Sequence, residues 1–427
     1  MRYLALTKQD RESMLKAIGV TSVDDLYDAV PKEALLKKPI DNLPNHLGEI
    51  EVENFLKNLS KKNRHAGQGP FFLGAGAYNH HIPAAVDHII QRSEFLTSYT
   101  PYQPEISQGT LATIFQFQSI IALLTGMEVA NASMYDGATS LSEAVLMALR
   151  IKKDRKKISI QNNLHPDYRN VLTTYAELAE AIVVDNKLDN ETAAVIVSYP
   201  DFYGNIDDLE TIRKKCDEAG ALLIVCVNEI LSIGLLEAPK VADIVIGEAS
   251  SLGVGLNFGG PHLGFFACKK ENLRQMPGRI CGVTTDEDGK DGYVLTLNAR
   301  EQHIRREKAT SNICSNQGLC ATAFTIHVSL LGENGFKQLA LINHKKACDL
   351  ADALAKVKNV KVENETFFNE FVIILGKDSK LVNQKLLENN IIGGYPLDNN
   401  RMLIAATELT SDSDIQKLVQ ALDKILN

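Results

Sequence analysis

The chain has 427 residues, 45% of them hydrophobic, and a formal net charge of −8; that length suits a large domain with a lesser one, and the apolar content is that of an ordinary globular protein. The acidity excludes a dedicated nucleic-acid binder, which needs a basic face to neutralise phosphates, and no apolar run reaches the ~18 residues of a membrane span. Seven scattered cysteines, no two of them three apart, exclude a zinc ribbon or a CxxC redox pair; reduced thiols and a leaderless Met1–Asp10 make the cytoplasm the expected setting.

Residues 1 to about 65 read as helical, punctuated by Pro31, Pro39 and Pro44, and their charge density suggests an arm or cap. Turn signals at Gly67–Pro70 and Gly74–Gly76 follow, and a helix is expected from Pro83 to about Leu96. A proline-containing loop, Thr97 to Gly109, leads into a helix ending near Gly126. Asn131 to Ser140 reads as a turn opening a helix from Leu141 to about Arg150, with the basic runs Lys152-Lys153 and Arg155-Lys156-Lys157 as solvated charge at its end.

Next, β-branched runs at Lys157–Gln161, Ala181–Asp185, Ala194–Tyr199, Ala221–Val227 and Ala242–Ile246 alternate with helical runs at Tyr168–Leu178 and Leu209–Ala219. That alternation predicts an α/β fold with a mostly parallel sheet covered on both faces. Leu263–Cys268 reads as a strand able to pair antiparallel with the one ending at Ile246. A small α+β unit closes the chain: a helix at Phe336–Val357, strands near Lys361, at Phe371–Leu375 and at Met402–Ala405, and helices at Ser379–Glu388 and Ser413–Leu426. The expected division is a helical arm (1–65), a large domain (66–330) and a small one (331–427).

Several segments could carry chemistry. The small-residue turn Asp136-Gly-Ala-Thr-Ser140 could present N–H groups to an anion at a helix N-terminus, and Ser140 with Glu143 could equally form a capping box. The loop Gly247-Glu-Ala-Ser-Ser-Leu-Gly-Val-Gly-Leu-Asn-Phe-Gly-Gly260 follows a buried strand, where α/β enzymes place their sites. It lacks the third glycine of a dinucleotide fingerprint and a Walker lysine. Pro277 to Thr310 reads as a charged helix at an interface or ligand mouth, carrying Arg279, Arg300, Glu301, His303, Arg305, Arg306, Glu307 and Lys308, and it leads through the small, polar Ala309–Gly318 into an apolar helix. Tyr99-Thr-Pro-Tyr-Gln-Pro-Glu105 is a rigid loop suited to recognition or pinned by one buried tyrosine. His80 and His81 are adjacent and point apart, which argues against a metal pair.

Gly74–His80, Tyr99–Gly109, Pro277-Gly-Arg279 and above all Arg300–Cys314 resemble the glycine decarboxylase P-protein family, and within it the N-terminal-type subunit of its two-chain form. The likeness covers nearly the whole chain. It implies a fold-type-I pyridoxal-phosphate transferase architecture, of the aspartate aminotransferase kind, and an α2β2 heterotetramer with a second (beta) subunit. It also implies the family reaction: glycine is decarboxylated on pyridoxal phosphate, and the aminomethyl group passes to the lipoyl arm of the H-protein.

Pyridoxal phosphate needs a lysine for its Schiff base. In this fold that lysine lies about eight residues beyond an aspartate like Asp243, and the count lands on Ser251. No lysine stands between Lys240 and Lys269. The acidic partner of the pyridine nitrogen is expected near Cys226 or Asn228, neither a carboxylate, and Glu229 falls one turn late. The expectation is that this chain holds no cofactor, that the partner subunit does, and that this chain completes the site. Tyr99, Thr100, Tyr102, Gln103, Glu105 and Gln108 are the first candidates to reach across, with Arg279, His303, Arg305 and Arg306 at the entrance or the subunit boundary. Two other readings are a self-sufficient enzyme using Lys269 or Lys308, and a structural or regulatory subunit whose old site is dead.

Overall fold

Runs of valine, isoleucine and leucine in the middle of the chain form strands buried on both faces, and they set the architecture. In this computed structural model the described residues are 6–36, 38, 40–44, 46–314 and 317–427. Pro39, and Ser315 and Asn316 beyond Cys314, fall outside them. The chain divides into two compact units, residues 1–65 and 66–427. The first contains helices α1 (Lys8–Ile18) and α2 (Glu49–Ser60). Thr7 and Asp10 form a capping box on α1. None of the first unit's described residues is buried. Val52, Phe55, Leu56 and Leu59 make an exposed stripe at helical spacing along α2.

The second unit opens with α3 (Ala84–Ile90) and α4 (Ser93–Leu96). The single helix expected over Pro83–Leu96 is therefore broken, because the chain leaves helical geometry at Arg92. Next come α5 (Gln108–Thr125), strand β1 (Val129–Ala130) and α6 (Gly137–Ile151). β2 (Lys157–Ile160), α7 (Pro166–Leu178), β3 (Ile182–Asp185), β4 (Thr192–Ser198), α8 (Leu209–Ala219), β5 (Leu222–Val227), β6 (Ile244–Glu248) and β7 (Gly264–Cys268) continue the expected alternation.

These strands make one sheet in the order β1-β7-β6-β5-β4-β2-β3. β6, β5, β4, β2 and β3 run parallel, and β7 is antiparallel to both neighbours, with Ile246 facing Phe266. Every residue of β4 and β5 is buried. Val195, Val197, Leu223, Val225 and Val227 join one core with Phe117 of α5. Ile196, Ile224, Cys226 and Ile246 join a second with Leu141 and Val145 of α6. The period of two thus divides each strand between two helical layers.

The charged stretch from Pro277 to Thr310 is not the helix its composition suggests. It folds as a hairpin, β8 (Ile280–Thr285) and β9 (Asp291–Thr296), followed by short turns that include α9 (Gln302–Arg305). Helix α10 (Gly318–Leu354) joins the apolar helix expected after Gly318 to the one expected from Phe336, with a kink at Gly332, whose φ of 59° leaves the helical region. β10 (Val360–Val362), β11 (Glu370–Leu375), α11 (Ser379–Glu388), β12 (Tyr395–Pro396), β13 (Arg401–Ala405) and α12 (Asp412–Leu426) complete the chain. Their four strands form a separate antiparallel sheet, in the order β10-β11-β13-β12, over a third core. No described helix is long and apolar enough to cross a membrane.

Candidate functional site

The carboxyl ends of the parallel strands and the N-terminus of α6 converge, the place where open α/β sheets bind ligands. α6 starts at Gly137, four residues before the expected Leu141. Its cap is Asp136, whose side chain accepts from Thr139 N at 2.7 Å, so Ser140 and Glu143 form no capping box. Ser140 Oγ instead donates to Asp136 O at 2.7 Å, and Glu143 is buried, where desolvation raises its pKa. The first free amide of the helix, Gly137 N, donates to Glu248 Oε2 at 3.1 Å. The other oxygen, Glu248 Oε1, accepts from Ser250 N at 3.1 Å and Leu263 N at 2.8 Å.

Beyond Glu248, Ser251 Oγ donates to Glu229 Oε2 at 2.7 Å. Glu229 is buried at the end of β5, and its other oxygen accepts from Leu231 N at 2.9 Å. Although Glu229 looks one turn late in sequence, its carboxylate reaches the same place as Ser251. His80 continues the chain of contacts, with Nε2 3.3 Å from Glu229 Oε2 and Nδ1 2.9 Å from Glu408 Oε2. Glu408 also accepts from His81 N at 2.6 Å and Asn343 Nδ2 at 2.9 Å. Burial alone would pull the His80 pKa down, but the facing carboxylates outweigh it and raise it to about 10. For Glu408, burial acts upward and is outweighed by His80, which holds the carboxyl at about 2. Neither Glu408 nor the His80 contact was legible from local sequence, because the partners lie 328 residues apart.

A second buried carboxylate stands close by. Glu370 accepts from Tyr78 OH at 2.8 Å and Ala75 N at 2.5 Å, and burial raises its pKa to about 7. Glu229, Glu370, Asn228, His165 and Phe202 line a cavity of about 20 Å³. That is room for a water molecule and far below the ~300–1,000 Å³ of ligand pockets.

The tyrosine loop builds a different cluster. Tyr102 OH accepts from Arg279 Nη2 at 3.2 Å, and its ring meets that of His303 edge-on at 5.3 Å. Arg279 is buried, and its Nε lies 3.4 Å from Glu301 Oε2, which is 3.7 Å from His303 Nδ1. Gln108 clamps the base of the loop: its amide donates to Pro104 O and Tyr293 O, and its carbonyl accepts from Tyr293 N. The structure therefore brings Tyr102, Arg279 and His303 together with Glu301, whereas Gln108 holds Pro104 and Tyr293 instead. Tyr99, at 81% exposure, and Gln103 and Glu105 face solvent, while Thr100 is half-buried. Arg305 Nε donates to Ala299 O, and Arg306 is exposed. Arg300 donates to Met276 O and Gly278 O, tying these turns to the segment before β8.

The sheet order, the antiparallel β7 and the separate four-stranded unit define a fold-type-I pyridoxal-phosphate transferase. A Lactobacillus brevis glutamate decarboxylase shares that fold, with a TM-score of 0.66 at 12% identity over 91% of this chain and 95% of that one. Far closer is a crystal structure of glycine decarboxylase (P-protein) of the glycine cleavage system in inhibitor-bound form. It has a TM-score of 0.92 and 41% identity, with 100% of both chains covered. Proteins named probable glycine dehydrogenase (decarboxylating) subunit 1 are similar throughout. That of Sphingopyxis alaskensis is 52% identical and that of Caulobacter vibrioides 51%, over 100% of this chain and 100% and 99% of theirs. The family model of the glycine cleavage system P-protein matches residues 1–422, and the chain belongs to that family.

Pyridoxal phosphate is the cofactor this fold implies, and the residues present do not fit it. Ser251, the residue on which the count from Asp243 falls, carries no amine and donates to Glu229. Glu248 occupies the helix terminus that would receive the phosphate. Lys269 is no substitute, since its Nζ is 2.5 Å from Asp243 Oδ1, at the opposite end of β6 from Ser251.

Proposed function

We propose that this chain is the lysine-less subunit of a two-chain glycine decarboxylase whose second subunit holds the pyridoxal phosphate. A second chain follows from likeness to relatives named subunit 1. The observation that carries the assignment is Ser251, hydrogen-bonded to Glu229 where a cofactor-bearing chain needs a lysine. In this reading two copies of each chain form an α2β2 enzyme. It removes the carboxyl group of glycine and passes the aminomethyl group to the lipoyl arm of the H-protein, whose disulfide is reduced. This chain alone is inactive, and its second unit keeps a large and a small lobe meeting near residue 330.

Tyr102, Arg279 and His303 are the residues we assign to the wall of the partner's site. Tyr99, Thr100, Gln103, Glu105, Gln108, Arg305 and Arg306 are assigned to the entrance or to the contact between the two chains. Their chemistry is recognition: aromatic hydroxyls and a buried guanidinium held in place by Glu301 orient a neighbour without themselves transferring protons.

The test is co-purification with the second subunit, then glycine–bicarbonate exchange for each chain and for the mixture. Activity in the mixture alone is expected. Exchange by this chain alone, with Schiff-base absorbance, would overturn the reading. In the assembled mixture Tyr102→Phe is expected to slow exchange on the order of tenfold, the effect of one charge-assisted hydrogen bond. Unchanged turnover by both Tyr99→Phe and Tyr102→Phe would favour a purely structural subunit.

A further inference from the structure

We infer that Glu248 is an anion built into this chain, which closes the α6 terminus to phosphate and so excludes pyridoxal phosphate from this subunit. The inference deepens the proposed function and rests on it, since it names the residue that sends the cofactor to one subunit of the two. An unfilled helix N-terminus offers amide protons and the positive end of a dipole to any phosphate nearby. Losing the lysine removes the covalent anchor but leaves that attraction intact. A lysine-less subunit would still compete for the cofactor unless the terminus were answered from within.

The geometry supplies that answer. One carboxylate gathers three backbone amides, from Gly137 at 3.1 Å, Ser250 at 3.1 Å and Leu263 at 2.8 Å. Asp136 takes Thr139 N at 2.7 Å and Thr139 Oγ1 at 3.0 Å, so two negative groups of the chain stand at the first turn. A phosphate dianion arriving there meets like charge and amides already engaged. Space is withheld as well. A methyl on Gly137 would lie 2.0 Å from Tyr168 Oη, and one on Gly264 would lie 2.3 Å from Asp136 O. Glu248 cannot drift away, because Gly247 packs so tightly that a methyl there would be 1.9 Å from Val227 O. The residue is pinned at the end of β6 with its carboxylate over the terminus.

The test uses the full chain as wild type, Glu248→Ala and Glu248→Gln, titrated with inorganic phosphate and with pyridoxal phosphate. Binding is read by calorimetry and by the Gly137 amide resonance. In the wild type we expect no saturable phosphate binding and an unmoved Gly137 amide. Glu248→Ala should bind phosphate saturably, with an affinity at least tenfold above any wild-type response, and its Gly137 resonance should shift with occupancy. Glu248→Gln keeps an acceptor on the amides and so protects the fold, and it should fall between the two.

Wild-type phosphate binding that moves the Gly137 amide as far as in the variants would overturn the inference. So would a folded Glu248→Ala that binds none. If the alanine variant does not fold, the glutamine variant decides, and no gain over wild type counts against the inference. Failure here leaves an isolated wild-type chain that shows no Schiff-base absorbance and is active only with its partner. Failure of the proposed function instead shows as exchange activity in this chain alone.

Discussion

His80 sits between Glu229 and Glu408 with 1% of its side chain exposed, and its charge state decides whether the three groups help or harm the fold. Its folded pKa of about 10 lies above the ordinary histidine range. The stabilisation it brings is therefore complete below its unfolded pKa, near 6.5, and is lost as pH climbs through about 10. Glu408 runs the other way: held at about 2, it contributes above the ordinary carboxylate range and loses that contribution as pH falls through about 2. His80→Ala leaves the buried Glu229 and the partly buried Glu408 without the cation between them and should cost about 3–5 kcal/mol near pH 6. Denaturant unfolding of wild type and variant at pH 6, 8 and 10 should show the gap closing as pH rises, and a constant gap would contradict the ion pairing. The lack of any lysine between Lys240 and Lys269 is visible in sequence because it is a count along one segment. What replaces it is not, since Glu229, His80 and Glu408 come from three distant stretches, and Glu248 works through backbone amides that no side-chain pattern announces.

Elements were legible where one physical signal dominated. The buried runs of β4, β5 and β6 and the amphipathic α8 and α12 stand close to their sequence-based bounds, because apolar periodicity and caps such as Asp208 and Ser411 act locally. The hairpin β8–β9 was hidden by its charges: its tip, Asp286-Glu-Asp-Gly-Lys290, and the basic residues beyond it imitate a solvated helix. Its shape depends instead on Gln108, which caps the edge of β9 through Tyr293, and on Gln118, which exchanges two hydrogen bonds with Cys281. Gln118→Ala should therefore cost about 1–3 kcal/mol, by stranding the buried amide of Cys281, and should loosen the hairpin. Faster amide exchange across Ile280–Thr296, with β4 and β5 unchanged, is the expected signature. Gly247→Ala tests the end of β6 that carries Glu248. With backbone 1.9 Å from the added methyl, β6 must part from β5, and a cost of about 1–3 kcal/mol or more is expected in the same unfolding assay.

The whole molecule is built in two unlike ways. The second unit carries three large cores of its own, beginning at Phe72. Among the described residues of the first, none is buried, and 16 side chains count among the large exposed apolar groups, from Leu6 to Leu59. Cooperative unfolding comes from cores, and local opening is cheapest where few apolar contacts hold the backbone. The two units should thus answer a protease differently. Lys57, Lys61 and Lys62 are exposed, at the end of a helix with no buried residue. Brief treatment with trypsin should cut there first. The strands of the second unit, buried on both faces, resist until global unfolding. Mass spectrometry should find a stable fragment starting shortly after residue 57, and that fragment should keep a single cooperative thermal transition. Early cuts within β2 to β7 would instead mean that the sheet opens as easily as the arm, contrary to the continuous burial of β4 and β5.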